Sequence, residues 1–282
     1  MISIIICSRH NDITETLKEN IASTIGVEYE LIIIDNSNKE YSIFQAYNEG
    51  VRRSKYSYLC FMHDDILYHT INWGRNVLEH FKDEKVGLIG VLGGHYLPKK
   101  QAHFWDSPFI SGHIIQNIDG NSLSHFHDDF LGLKNSIEAV ACDGLWFCIP
   151  LKLFEKIKFD EYVFNGFHLY DMDISLQVIN CGYSVRIIAN LLVEHFNKSI
   201  INKIFYDNQL LFFDKWKYSM PLVRGITGDC IAKYLEEINY KLEEINYKLE
   251  FENKQLHNSR AYRLGKLFMM PFSFIYYKIL RK

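Results

Sequence analysis

Apolar runs and helical periodicity alternate along the first third of the chain. Ile2 to Cys7 is a nearly continuous apolar run rich in β-branched residues, which predicts a buried strand. The polar turn Ser8 to Asp12 leads into a predicted helix over Thr14 to Ser23. Leu31 to Ile34 predicts a second strand, closed by Asp35-Asn36-Ser37-Asn38, and Ile43 to Arg53 a second helix. Tyr58 then opens YLCFMHDDI, an apolar run that stops at His63, Asp64 and Asp65. Strand, helix, strand, helix, strand is the order of a parallel sheet with crossover helices. The polar strand ends Ser8 and His10, Asp35, and Asp64 with Asp65 then fall on one rim, where open α/β sheets bind ligands. The bland reading of each Asp is a turn or helix cap.

Farther along, Val86 to Val91 predicts another strand, followed by Gly93-Gly94. Residues 95 to 135 have no clear period and carry aromatics, glycines and scattered histidines, including His125 and His127 before Asp128 and Asp129. Without HExxH or paired i, i+4 histidines they predict a substrate loop and not a metal helix. Ala139 to Ile149 returns to strand character, interrupted by Asp143-Gly144, a place for a bulge or a close ligand approach. Asp171 and Asp173 precede Ile174, Leu176 and Val178, predicting a short helix that stops near Cys181-Gly182. Its two carboxylates suit the helix dipole, or one of them is a general base at the cleft. Tyr183 to Val193 predicts the last strand and delivers Glu194-His195 toward the same rim.

Composition narrows the function. A chain of 282 residues with 48% hydrophobic content has material for a substantial core. A net charge of -3 argues against nucleic-acid binding. The six cysteines are widely spaced without a CxxC pair and predict reduced thiols in a cytoplasmic protein. No basic leader precedes the first strand, and no apolar run reaches the ~20 residues of a membrane span. The first turn lacks both G-x-G-x-x-G and GK[ST], which excludes the usual dinucleotide and phosphate-loop sites.

The strand ending in FMHDD, Asp35 after the second strand, Ala46-x-Asn48-x-Gly50, Asp143-Gly144, YDMDISLQ and a late strand ending in His195 together resemble the family 2 glycosyltransferases of GT-A fold. The resemblance covers about residues 1 to 200. It implies a mostly parallel, Rossmann-like α/β sheet flanked by helices within residues 1–226. About 1–95 would form the nucleotide-sugar half and about 96–226 the acceptor half. In that family the third strand ends in Asp-x-Asp, which holds a divalent cation against a sugar-nucleotide diphosphate. Here His63 takes the first place, as in a subgroup that carries histidine there. The resemblance implies Asp65 and His195 as metal ligands, His63 as a further one, and Mn2+ or Mg2+ as the ion. It implies Asp171 as general base, with Tyr170 departing from the usual Glu. Ser8, His10, Asp35, Asn48 and Asp64 are the implied nucleotide-sugar contacts, and Asp143, Gly144 and Trp146 the acceptor contacts. The expected activity is inverting transfer from a nucleoside-diphosphate sugar, UDP-sugar favoured, to a glycan or lipid-linked acceptor of surface polysaccharide synthesis. Sugar nucleotidyl transfer and an inactive scaffold subunit are the competing readings.

Past Gly228 the pattern changes again. EEINYKL occurs twice in succession, and Leu235, Leu242, Leu249 and Leu256 recur every seven residues with Ile238 and Ile245 between them. This a/d spacing predicts a helical extension at 227–256, a short coiled coil that self-associates as a dimer or trimer or pairs with a partner helix. A lone amphipathic helix on its own domain is the alternative. Residues 257–282 interleave six Lys and Arg with aromatics and have no acid, predicting an amphipathic anchor on the cytoplasmic face of the inner membrane. SRAYRLGK resembles tails of bacterial surface-polysaccharide glycosyltransferases.

Overall fold

The computed structural model describes residues 1–100, 103–118, 121–126, 135–196, 201–259 and 264. Contacts divide the chain into two compact units, Met1–Gly225 and Ile226–Lys282.

The first unit opens with β1 (Ile2–Ser8), α1 (Glu15–Thr24), β2 (Tyr29–Asp35), α2 (Ile43–Arg53), β3 (Tyr58–Met62), β4 (Ile66–Tyr68), α3 (Trp73–His80) and β5 (Val86–Gly90). Six short strands follow: β6 (Leu92–Gly94), β7 (Tyr96–Leu97), β8 (Ile110–Ile118), β9 (Asn121–Phe126), β10 (Ser136–Ala139) and β11 (Ala141–Cys142). The unit closes with β12 (Trp146–Pro150), α4 (Tyr170–Asn180), β13 (Ser184–Ile188), β14 (Val193–His195), α5 (Lys203–Trp216) and β15 (Leu222–Val223).

Among the described residues, a seven-stranded sheet runs β10-β13-β5-β12-β3-β1-β2. β1 pairs in parallel with β2 and β3, and β5 with β13, whereas β12 is antiparallel to β3 and β5. The strands expected to form a parallel set, β1, β2 and β3, run parallel as β2-β1-β3, within a sheet that is mixed as a whole. Side-chain alternation divides the core between the sheet's two faces: Phe61 and Phe147 pack with α2 and α4, whereas Cys60, Met62 and Trp146 pack with Trp73. α2 forms where its pattern predicts, started by a capping box between Ser42 and Gln45. It packs against β1 so closely that a Cβ on Gly50 would lie 2.3 Å from Ile5 Cγ2.

Three expectations change. Residues 95 to 135 are not irregular throughout: β8 lies between β6 and β14, with β9 on its edge, in a second sheet that also contains β4 and β11. Its partner β14 is distant in sequence, and interspersed polar residues such as His113, Gln116 and Asn117 obscure the local period. The 139–149 run is interrupted at Asp143-Gly144 as expected, but by a tight turn between separate strands and not a bulge, with Asp143 Oδ1 accepting from Leu145 N at 2.9 Å. The 183–193 run also breaks, because Ala189–Leu192 carries the chain from one sheet to the other. His127, Asp128 and Asp129 lie outside the described residues.

In the second unit, α6 (Gly228–Asn258) is one continuous helix, begun by Thr227, whose hydroxyl accepts from Cys230 N at 3.4 Å. Most of the basic segment 257–282 lies outside the described residues. Among the described residues, no helix is long and apolar enough to cross a membrane.

Candidate active site at the sheet rim

β3 ends at Met62, and the ladder continues for one more bond, His63 N donating to Leu145 O at 3.0 Å. The chain then turns through Asp64 and Asp65 into β4. β14 pairs antiparallel to β4 with His195 opposite Ile66, and parallel to β8 with His195 opposite Gln116. Phe196 N donates to Asp65 O at 3.1 Å. Strand register therefore brings His195 beside the turn after β3 from 130 positions away in the chain.

The polar atoms converge. His63 Nδ1 and His195 Nε2 are 3.5 Å apart, and Asp65 Oδ1 lies 3.8 Å from the first and 3.4 Å from the second. A point about 2 Å from all three atoms exists inside this triangle, the distance a first-row divalent ion requires. The outer bonds set the imidazole tautomers. Tyr170 Oη donates to Gly144 O at 3.1 Å and so accepts from His63 Nε2 at 3.0 Å. That leaves the Nδ1 lone pair of His63 facing the triangle. On the other ring, Gln116 Oε1 accepts from His195 Nδ1 at 3.1 Å, and Gln116 Nε2 donates to His195 O at 3.3 Å. The Nε2 lone pair of His195 then faces the same point. Burial pushes the His63 pKa down, which favours the neutral, ligating imidazole. The donor set fits one divalent cation. One carboxylate and two imidazoles suit Mn2+ better than Mg2+, which prefers oxygen.

Two more groups are linked to these residues by hydrogen bonds. Arg9, just after β1, donates from Nη2 to Asp64 Oδ1 at 2.8 Å and to Asp65 Oδ2 at 3.0 Å, while its backbone N–H donates to Asp64 Oδ2 at 3.0 Å. Ser8 Oγ reaches Asp64 Oδ2 at 3.4 Å and accepts from His10 N at 3.1 Å. Ser8, His10, Arg9 and Asp64 thus form one connected corner. Asp171 sits in the first turn of α4, buried, with Oδ2 accepting from Gly144 N at 2.9 Å and Oδ1 from Met172 N at 2.8 Å. Burial first, and then the charge of Asp143, push its carboxyl up to about 7 against those two bonds. The 143–145 turn joins the two groups: Gly144 holds both Asp171 and Tyr170, and a Cβ there would lie 2.1 Å from Tyr170 Oη.

Other sequence-selected residues lie differently. Asp35 is exposed at the end of β2 and accepts from Ser37 N at 2.9 Å in its own turn. Asn48 exchanges hydrogen bonds with Phe159, donating to its O at 2.8 Å and accepting from its N at 3.2 Å, which ties α2 to the loop before α4. Trp146, expected at the acceptor, is fully buried; it donates to Tyr68 Oη at 3.0 Å and packs edge-on against Trp73, so it is a core residue. Asp173 is buried against α5, 2.8 Å from Lys215 Nζ and accepting from Trp216 Nε1 at 2.8 Å. Arg9 and Gln116 were not among the sequence candidates. Arg9 is adjacent to Ser8 and was legible by position, but Gln116 depends on the β8–β14 pairing.

His63, Asp65 and His195, which could hold a metal ion after the third strand of an α/β sheet, are the positions that the GT-A resemblance singles out. The chain belongs to the glycosyltransferase like family, whose model matches residues 3–215. Among solved structures it is similar to GalNAc-T7, crystallised with UDP, GalNAc and Mn2+, at 14% identity and a TM-score of 0.54 over 88% of this chain. It spans 57% of that chain's length. A197 from STIV aligns over 70% of this chain and 86% of its own, at 15% identity and a TM-score of 0.41. No curated relative matches the chain.

Proposed function

We propose that the chain is a metal-dependent, inverting glycosyltransferase that moves a sugar from a nucleoside-diphosphate sugar to a glycan or lipid-linked acceptor in surface polysaccharide synthesis. The observation that carries this reading is the convergence of the His63, Asp65 and His195 lone pairs on one point. A divalent cation there supplies Lewis-acid stabilisation of the leaving diphosphate. The UDP and Mn2+ of the GalNAc-T7 crystal favour a UDP-sugar and Mn2+ for this chain as well. Arg9 is exposed beside Asp64 and is suited to pair with a diphosphate oxygen, where a guanidinium gives two parallel bonds. On this reading Ser8, His10, Asp35 and Asp64, at or just after strand ends, contact the donor, and Asp143 with Gly144 the acceptor.

In the proposed step the acceptor hydroxyl attacks the anomeric carbon as the bond from that carbon to the diphosphate oxygen breaks. Asp171 takes the hydroxyl proton. With one base and no opposed nucleophile, displacement is direct and the anomeric configuration inverts. Incubating the full chain with a panel of sugar nucleotides, with and without Mn2+, tests the reading. Metal-dependent release of a nucleoside diphosphate is expected, with UDP-sugars preferred. Release of pyrophosphate would point to nucleotidyl transfer, and a product of retained configuration would refute the single displacement.

The basic, aromatic-rich residues 257–282 support a peripheral position on the cytoplasmic face of the inner membrane, where a lipid-linked acceptor resides. Deleting 257–282 is expected to move the protein from membrane to soluble fractions. Unchanged partitioning would remove this part of the reading.

A further inference from the structure

α6 presents a continuous apolar seam. Leu235, Leu242, Ile245, Leu249 and Leu256 are between 51% and 60% exposed. Ile238 follows Leu235 by three positions and Leu242 follows Ile238 by four, so the register is fixed. The leucines occupy a, and Ile231, Ile238 and Ile245 occupy d. Lys241 and Lys248 then fall at g, and Asn239, Asn246 and Asn253 at e. Each g lysine forms an ion pair with the glutamate one turn earlier, Lys241 with Glu237 at 3.0 Å and Lys248 with Glu244 at 2.6 Å. Those pairs belong to a solvated flank and leave the seam itself apolar.

We propose that further copies of this chain cover the seam, in a parallel, in-register bundle of three or four helices. Two chemical features decide this. The first is the order of the branched side chains. β-Branched residues at a with leucine at d favour two strands, whereas leucine at a with isoleucine at d shifts the preference to three or four. α6 has the second order in every heptad from Ile231 to Leu249. The second is charge. An antiparallel pair sets g against g and brings lysine to lysine. A parallel pair sets g against e, so the Lys241 ammonium of one copy can donate to the Asn246 carboxamide oxygen of the next, and Lys248 likewise to Asn253. The back-to-back heptads make the seam complementary to itself, so a second copy supplies all that it needs. Glu252 interrupts d near the C-terminal end and confines the strongest packing to the part before it. Parallel chains leave the bundle in one direction, so the membrane segments proposed above would add as several weak contacts in one assembly.

Sedimentation and light scattering of the full chain test this without any membrane or activity. Three or four times the 33.3 kDa chain mass is expected. Exchanging the branching, with the a leucines made isoleucine and Ile231, Ile238 and Ile245 made leucine, should reduce the assembly to a dimer. Ile238→Lys with Ile245→Lys should give a monomer whose Met1–Gly225 unit melts unchanged. A Leu235→Cys chain carrying Cys230→Ser should crosslink between copies on oxidation, because only parallel pairing places position 235 beside itself. A wild-type monomer or dimer, a branching exchange without effect on mass, or no crosslink would overturn the proposal. Membrane partitioning has no bearing on these outcomes.

Discussion

Asp171→Asn is expected to lower transfer by about 10²–10⁴-fold, the usual contribution of a positioned general base, while sugar-nucleotide binding persists. The carboxyl has been raised to about 7 by burial and by Asp143. Only its ionised form accepts a proton, so the wild-type rate should rise as pH increases through about 7 and level off above it. The Asn variant should lack that rise. The stability effect has the opposite sign. An unfolded Asp loses its proton near 3.8, the folded one near 7, so between these values the folded chain binds the extra proton. Stability is fully present below the lower value and declines as pH rises toward the upper one. Thermal melts of wild type should show this decline, and those of Asp171→Asn should show a smaller one, since Asp173, also raised by burial, still contributes. Asn also loses one of the two backbone bonds, since its carboxamide has a single acceptor oxygen for Gly144 N and Met172 N. Melting data therefore separate a lost base from a collapsed 143–145 turn. A variant that retains full transfer would overturn the assignment.

Asp65→Ala is the second change with a large expected effect. It removes the carboxylate that faces both imidazoles and also one anchor of Arg9. Mn2+ binding, followed by loss of the free-ion paramagnetic resonance signal, should weaken severely, and His195→Ala should do the same. Tyr170→Phe gives a graded control: the ring stays in the core beside Phe44 and Tyr47, but the bond to His63 Nε2 is gone. Loss of such an outer partner costs about 10–100-fold in metal affinity. The prediction fails if Tyr170→Phe binds Mn2+ as wild type does while Asp65→Ala binds none, because His63 would then be outside the site. The two departures from the usual family pattern, His63 for Asp and Tyr170 for Glu, are bonded to each other. The Tyr170 phenol, 3.0 Å from His63 Nε2, fixes the orientation of that imidazole.

The sequence alone determined the elements with a strong local period. β1, α2, β3 and α4 formed close to where their patterns predicted them, and so did the break at Cys181-Gly182, where Gly182 adopts a φ of +86°. The FMHDD turn at the end of a buried strand was also legible, because an apolar run that stops at three polar groups marks a strand end on the rim where open α/β sheets bind ligands. The tertiary structure decided which polar residues meet. His195 joins His63 and Asp65 through the pairing of β14 with β4 and β8, and Gln116 comes with it from a segment without local period. Asn48 and Trp146 have polar groups and suitable positions in the sequence, yet Phe159 engages half-buried Asn48 and Tyr68 engages Trp146 in the core. Local periodicity records which face of an element is buried, but long-range strand register and the satisfaction of buried polar atoms determine where each functional side chain lies, and neither is encoded within a window of neighbouring residues.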